Sequence, residues 1–128
     1  MRALLDTHTF IWMVAQEEKL SARATEVLQD TNTTLYLSAA SIWEMVIKAS
    51  LGKLVLTQPL ATLINTQVQI NGLNVLNIQA THALGVASLP WHHRDPFDRL
   101  LISQSKVESL AIIGRDTKMD AYGISRIW

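Results

Sequence analysis

Apolar positions along this chain fall into two kinds of block. Five are short and rich in Leu, Ile, Val and aromatic residues: "RALLD" (2–6), "TLYLS" (34–38), "LNVLNI" (73–78), "AIIG" (111–114) and "SRIW" (125–128). Runs of this length and composition predict strands covered on both faces. The segments between them repeat apolar residues at helical spacing and predict helices over 8–16, 21–30, 39–51, 59–71, 80–88 and 96–108. The punctuation agrees. Ser21 suits an N-cap, Gly52 and Gly72 suit helix ends, and Pro59 suits a first helical turn. Strands alternating with helices predict right-handed crossovers in an α/β fold of three layers, α/β/α, around a central, mainly parallel sheet. In such folds binding sites form beyond the carboxyl ends of the strands. Polar residues immediately after strands are therefore the first places to look for chemistry.

Length and composition narrow the picture. At 128 residues the chain is expected to form one domain over 1–128, with roughly two-thirds of its surface buried on folding. No linker, repeat or low-complexity tract divides it. The formal net charge is zero, so contact with a polyanion would need a local basic patch. The absence of cysteine excludes a disulfide framework and a thiolate metal site, and suits a reducing compartment. Asp6 and His8 interrupt the first apolar run, and no cleavage-site pattern of a signal peptide follows. No stretch approaches the ~20 apolar residues of a membrane span. The expectation is a soluble, cytoplasmic protein.

Acidic residues occupy unusual places. Asp6 closes the first strand and precedes a helix, where it is either an N-cap or a carboxylate presented at the sheet edge. In "AASIWEMVIKASLG" apolar residues surround most of the helix and leave only the stripe Ser41, Glu44 and Lys48, which Ser38 extends. Glu44 then sits in a solvated i,i+4 pair with Lys48 or faces a cleft. In "HHRDPFDRL" Asp95 caps the helix and Pro96 opens it. Asp98 projects away from a polar face of Arg99, Ser103 and Lys106, toward the core side, where a carboxylate needs a partner. Asp116 follows the strand of "LAIIGRD" as Asp6 follows the first, as a turn residue or a site residue. Asp120, a turn later, is expected to be solvated. Together Asp6, Glu44, Asp98 and Asp116 place four acids from four elements near one edge of the sheet. Four carboxylates share a small space only when cations or protons neutralise them. An all-oxygen ligand set suits Mg²⁺ or Mn²⁺. Zinc is less suited, because His8, His82, His92 and His93 lack familiar zinc spacing.

At these motifs the chain resembles PIN-domain proteins, and specifically VapC-type toxin ribonucleases of toxin–antitoxin pairs. The likeness runs through "LLDTHTFIW", "SAASIWEMVIKASLGKL", "HHRDPFDRLLISQS" and "AIIGRDTKMDAYGI", nearly the whole chain. It implies an acidic site of Asp6, Glu44, Asp98 and Asp116. Asp95 belongs to the "DPFD" form of the motif, and Gly114 stands where Ser or Thr is expected. It further implies a Mg²⁺- or Mn²⁺-dependent endoribonuclease that is usually dimeric and is held inactive by a cognate antitoxin. On this reading Asp6 and Asp98 are the principal metal ligands, with Glu44 and Asp116 supporting them or holding a second ion. The metal would polarise a phosphate oxygen and activate the attacking water.

An acidic site repels RNA, so cations must guide the backbone. Lys48, Lys53, Arg94, Arg99 and Arg115 lie near the motifs and are candidates; each is otherwise a surface charge or ion pair. Trp91, His92 and His93 either touch bases or antitoxin, or pack the loop. Two other classes stay open. One is a non-catalytic interaction module with exposed apolar surface from Phe10, Ile11 and Trp12. The other is a metal-dependent phosphatase or DNA nuclease. Transfer, ribosomal and messenger RNA fit the chemistry equally.

Overall fold

The computed structural model describes all residues, 1–128. Five strands, β1 (Arg2–Leu5), β2 (Thr34–Ser38), β3 (Asn74–Leu76), β4 (Ala111–Ile113) and β5 (Arg126–Ile127), form one sheet in the order β3-β2-β1-β4-β5. Every pairing is parallel. The helices are α1 (Thr7–Ala15), α2 (Ala22–Gln29), α3 (Ala39–Ser50), α4 (Leu60–Asn71), α5 (Ala80–Gly85) and α6 (Pro96–Glu108). Short 3₁₀ turns cover Glu17–Lys19, Val86–Ser88 and Thr117–Tyr122. No helix is long and apolar enough to cross a membrane.

Alternation along the central strand builds the three layers. Ala3 and Leu5 pack with Leu37 of β2 and with Phe10, Val27, Met45 and Ile64 from α1 to α4. Leu4, between them, packs with Leu101, Ile102, Met119 and Tyr122 on the other face. A strand flanked by apolar layers needs apolar residues at successive positions, which is why "ALL" lacks a polar face.

Caps explain several boundaries. The hydroxyl of Ser21 accepts from the Ala24 amide, and that of Ser38 accepts from the Ala40 amide. Asp95 accepts from the Phe97 amide at 2.8 Å, and Pro96 takes the first helical position. Gly72 closes α4 with φ 64°, the left-handed region that favours glycine. The outer strands are shorter than the apolar runs that predicted them. β3 and β5 pair on one side only, and Val75 and Ile78 stay largely exposed. The helix expected over 80–88 tightens to a 3₁₀ turn after Gly85. Gly85 is needed for close approach: a Cβ there would stand 2.5 Å from Ser103 Oγ, which donates to the His82 carbonyl at 2.6 Å.

The face of α6 expected to be polar is largely a second packing surface. Ser103 and Arg99 are both buried, and only Lys106 is exposed. Arg99 lies under the segment that links α5 to α6. Its guanidinium donates to the carbonyls of Pro90 (2.8 Å), Val86 (3.2 Å) and Leu89 (3.2 Å). It also stacks 3.8 Å from the ring centre of Trp91. Backbone that belongs to no strand must still pair its carbonyls, and one planar fork serves three of them. Phe10 is fully buried, and Ile11 and Trp12 are partly buried, so they form no exposed apolar patch. Trp12 packs against Trp128 instead.

The chain leaves β1 toward β2 and returns from β3 to β4 on β1's other side. The carboxyl ends of β1 and β4 are therefore the topological switch point, where open α/β sheets bind ligands.

Replacing Arg99 with Met leaves three carbonyls without their donor. The expected cost is about 3 kcal/mol in a urea unfolding titration, with Arg99→Lys restoring only part of it. Unchanged stability in Arg99→Met would show that the clamp contributes nothing.

Candidate active site

Asp6 directly follows β1. Its amide donates to the Ile113 carbonyl at 3.0 Å, and its own carbonyl accepts from the Phe10 amide at 3.1 Å. The backbone thus occupies the N-cap position of α1, but the side chain makes no capping hydrogen bond. Only 6% of the residue is exposed, and its carboxylate has no partner closer than His8 Nδ1 at 3.8 Å. Gly114 leaves it room. A Cβ at 114 would lie 3.1 Å from Asp6 Cβ, so a Ser or Thr there would press on the aspartate.

Glu44 is also only 6% exposed. Its stripe on α3 faces Thr7 of α1 rather than open water. Thr7 Oγ1 donates to Glu44 Oε1 at 2.8 Å and lies 2.9 Å from Ser41 Oγ. Glu44 Oε2 pairs with Lys48 Nζ at 2.9 Å. Ser38 caps α3 and does not extend the stripe to the glutamate.

Asp98 enters from the first turn of α6, half-buried. Burial raises its pKa from 3.8 to about 7, helped by the carboxylates of Asp95, Asp6 and Glu44 and opposed by His93. No hydrogen bond to its side chain offsets these effects.

Asp116 lies just beyond β4. Its Oδ1 accepts from the Lys118 amide at 2.9 Å and caps the following turn. Its Oδ2 is 2.6 Å from His93 Nε2. Burial pushes the Asp116 pKa up, but the hydrogen bonds from His93 and the Lys118 amide outweigh it and hold the carboxyl below its ordinary value.

His93 is the residue the sequence left undecided. It is 9% exposed, with Nδ1 2.9 Å from the Tyr122 hydroxyl and its ring stacked on the phenol. One ligand atom from each of His93, Asp98 and Asp116 lies within 4.8 Å of the other two. Asp6 and Glu44 fall outside this tight group, and their charges still act on Asp98. Histidine spacing contained no signal for this group, because its members meet through space from three segments. His92 is exposed and sits edge-on to the same Tyr122 ring. His82 is fully buried elsewhere, between the Gln79 amide and Glu108.

The candidate cations divide. Lys53, Arg94 and Arg115 are exposed; Lys48 is half-buried against Glu44. Arg99 is removed from the set, because its guanidinium is spent on backbone carbonyls under the protein surface. Asp120 is exposed but paired, with both carboxylate oxygens on Arg126. On α3 the residues flanking Glu44 include two exposed apolar side chains, Trp43 and Val46, at 61% and 51%. Trp43 packs edge-on against Phe97.

Fold and site together define a three-layer parallel α/β domain with a group of carboxylates at its switch point. The chain belongs to the PIN domain family, whose sequence model matches residues 3–124. Comparison with curated proteins finds no match. Among solved structures, the chain resembles one in VapBC2 from Rickettsia felis, bound to a DNA fragment from its promoter. That match has TM-score 0.74 and 14% identity, covering 98% of this chain and 97% of the other. FitAcB from Neisseria gonorrhoeae gives TM-score 0.57 at 20% identity, covering 97% and 95%. A toxin–antitoxin complex from Klebsiella pneumoniae gives 0.59 at 20%, covering 93% and 90%.

The raised pKa of Asp98 has a definite sign in stability. The folded state holds this proton more tightly than the unfolded state. The resulting stabilisation is complete below 3.8 and is lost as pH rises through about 7. Asp98→Asn, which cannot ionise, should therefore be more stable than the parent at pH 8 in EDTA. Solvent screening reduces the expected gap to about 1–2 kcal/mol. Urea titrations should show that gap closing toward pH 4; a gap independent of pH would contradict the assignment.

Proposed function

We propose that this protein is a Mg²⁺- or Mn²⁺-dependent endoribonuclease of the VapC toxin kind, active as a homodimer and neutralised by a cognate antitoxin. One observation carries the reading. Glu44 has Lys48 at 2.9 Å and Asp116 has His93 at 2.6 Å, whereas Asp6 reaches only the exposed His8, at 3.8 Å, and Asp98 has no hydrogen-bond or ion-pair partner. Buried negative charge left over after internal pairing suits a hard divalent ion with oxygen ligands. PIN domains are nucleases, which supports phosphodiester hydrolysis as the reaction. The likeness in fold to chains of toxin–antitoxin complexes supports the toxin reading.

On this reading Asp6 and Asp98 hold the ion, and Glu44 and Asp116 support them or hold a second. When bound, such an ion supplies Lewis acidity at a phosphate oxygen and lowers the pKa of an attacking water. The protein's own groups do the rest. Thr7 and Lys48 fix Glu44 in one orientation. Lys53, Arg94 and Arg115 offer positive charge to the backbone of an RNA approaching the acids. Trp43 and Val46, exposed on either side of Glu44 in the chain, support a protein partner covering this edge, as an antitoxin would.

Purified protein is expected to cleave a panel of single-stranded RNAs with Mg²⁺ or Mn²⁺ and to stop in EDTA. DNA and small phosphoesters should survive. Asp6→Asn and Asp98→Asn should each lower cleavage by at least about 100-fold, a loss typical of removing a group that acts in the transition state. Undiminished cleavage in either variant, or in EDTA, would sink the mechanism. Cleavage of DNA alone would move the protein to the alternative class of nuclease.

A further inference from the structure

The pairing of His93 with Asp116 and Tyr122 has a meaning beyond the four acids. We propose that His93 Nε2 is a direct nitrogen ligand of the divalent ion, beside Asp98 and Asp116, and that Tyr122 sets the ring for it. This rests on the metal-dependent reading above and adds to it a nitrogen donor and a preference among ions.

The geometry supports the assignment at three points. First, His93 is nine-tenths buried and its Nε2 points at the carboxylates, with a ligand atom of Asp98 and one of Asp116 within 4.8 Å. Second, Nε2 and Asp116 Oδ2 are 2.6 Å apart, and an ionised carboxylate can only accept. A hydrogen therefore sits on Nε2 without the ion, and a cation placed there would take over the same contact. Third, the other ring nitrogen is backed by a group that suits either state. The Tyr122 hydroxyl, 2.9 Å from Nδ1, can donate to a bare Nδ1 or accept from Nδ1–H. A ligating histidine needs its second nitrogen held in this way, because that contact fixes the tautomer and the ring plane. An imidazole that held the ion through Nε2 would carry its hydrogen on Nδ1, where the Tyr122 hydroxyl can accept it.

An imidazole among carboxylates changes selectivity. Mg²⁺ is small and gives up its waters reluctantly, whereas Mn²⁺, though the weakest binder of the first transition row, sheds water more easily and accepts an imidazole beside its carboxylates. The site should therefore hold Mn²⁺ in preference to Mg²⁺, with His93 the source of the preference.

Mn²⁺ bound to the intact protein tests this by pulsed electron paramagnetic resonance. Expected is nitrogen modulation from one coordinated imidazole, altered when the protein is made with ¹⁵N-histidine. His93→Gln keeps an amide able to donate to Asp116 and removes the imidazole. It should abolish the modulation and reduce the Mn²⁺-to-Mg²⁺ affinity ratio, measured by calorimetry, by roughly tenfold. Tyr122→Phe should keep the modulation while weakening Mn²⁺ binding by roughly tenfold. Bound Mn²⁺ without imidazole modulation overturns the role of His93 and leaves the metal-dependent reading standing. Modulation that persists in His93→Gln overturns it too, since another histidine is then the donor. Failure to bind Mn²⁺ at all overturns both.

Discussion

Carboxylates brought together under partial burial repel one another, and the carboxyl edge of this sheet gathers four of them. The protein answers that repulsion unevenly. Lys48 meets Glu44, and His93 meets Asp116. Asp6 and Asp98 receive no comparable partner, and the carboxyl of Asp98 responds by holding its proton to about pH 7. A structure selected for stability alone would pair or delete these groups, because an uncompensated buried charge costs several kcal/mol. The imbalance gives this group of acids its attraction for a cation.

Holding such a site open requires rigid mounting. Asp6 is fixed through its backbone to both neighbours, by the β4 ladder and by the first turn of α1. Gly114 keeps the adjacent strand end clear of it. The loop bearing His93 has no ladder of its own, and the Arg99 fork takes its place by gathering three loop carbonyls under α6. Thus an arginine remote from solvent contributes to the site by determining where another residue stands.

Much of this was legible in the chain. The five strands and six helices followed from apolar periodicity and from caps such as Ser21, Asp95 and Gly72. The alternation of those elements put Asp6 and Asp116 at the carboxyl edge of the sheet, and the strand order that makes β1 and β4 neighbours came only with the fold. What the sequence concealed was pairing through space. Arg99 and Ser103 look like a solvated face, because a charged or hydroxylic residue carries no local mark of the carbonyls it will meet. His93 lies in a histidine pair of no recognised spacing, and only the fold brings Tyr122 and Asp116 to its two nitrogens. Phe10 seemed available for a partner, yet the packing of α1 against the sheet uses it completely. Local patterns report which face an element buries; they do not report what a long side chain finds there.

The sheet's margins carry a last consequence. Its outermost strands, β3 and β5, hold only three and two residues. Arg126 of β5 is tied by its guanidinium to Asp120 and the Gly114 carbonyl. An incoming strand would find too few free amides and carbonyls on either border to form a ladder. Association by extending the sheet is thereby discouraged, and a companion chain must approach the helices and loops. The same brevity protects the molecule from joining edge to edge with copies of itself, so that a fold built around a parallel sheet presents its neighbours with almost no sheet to grasp.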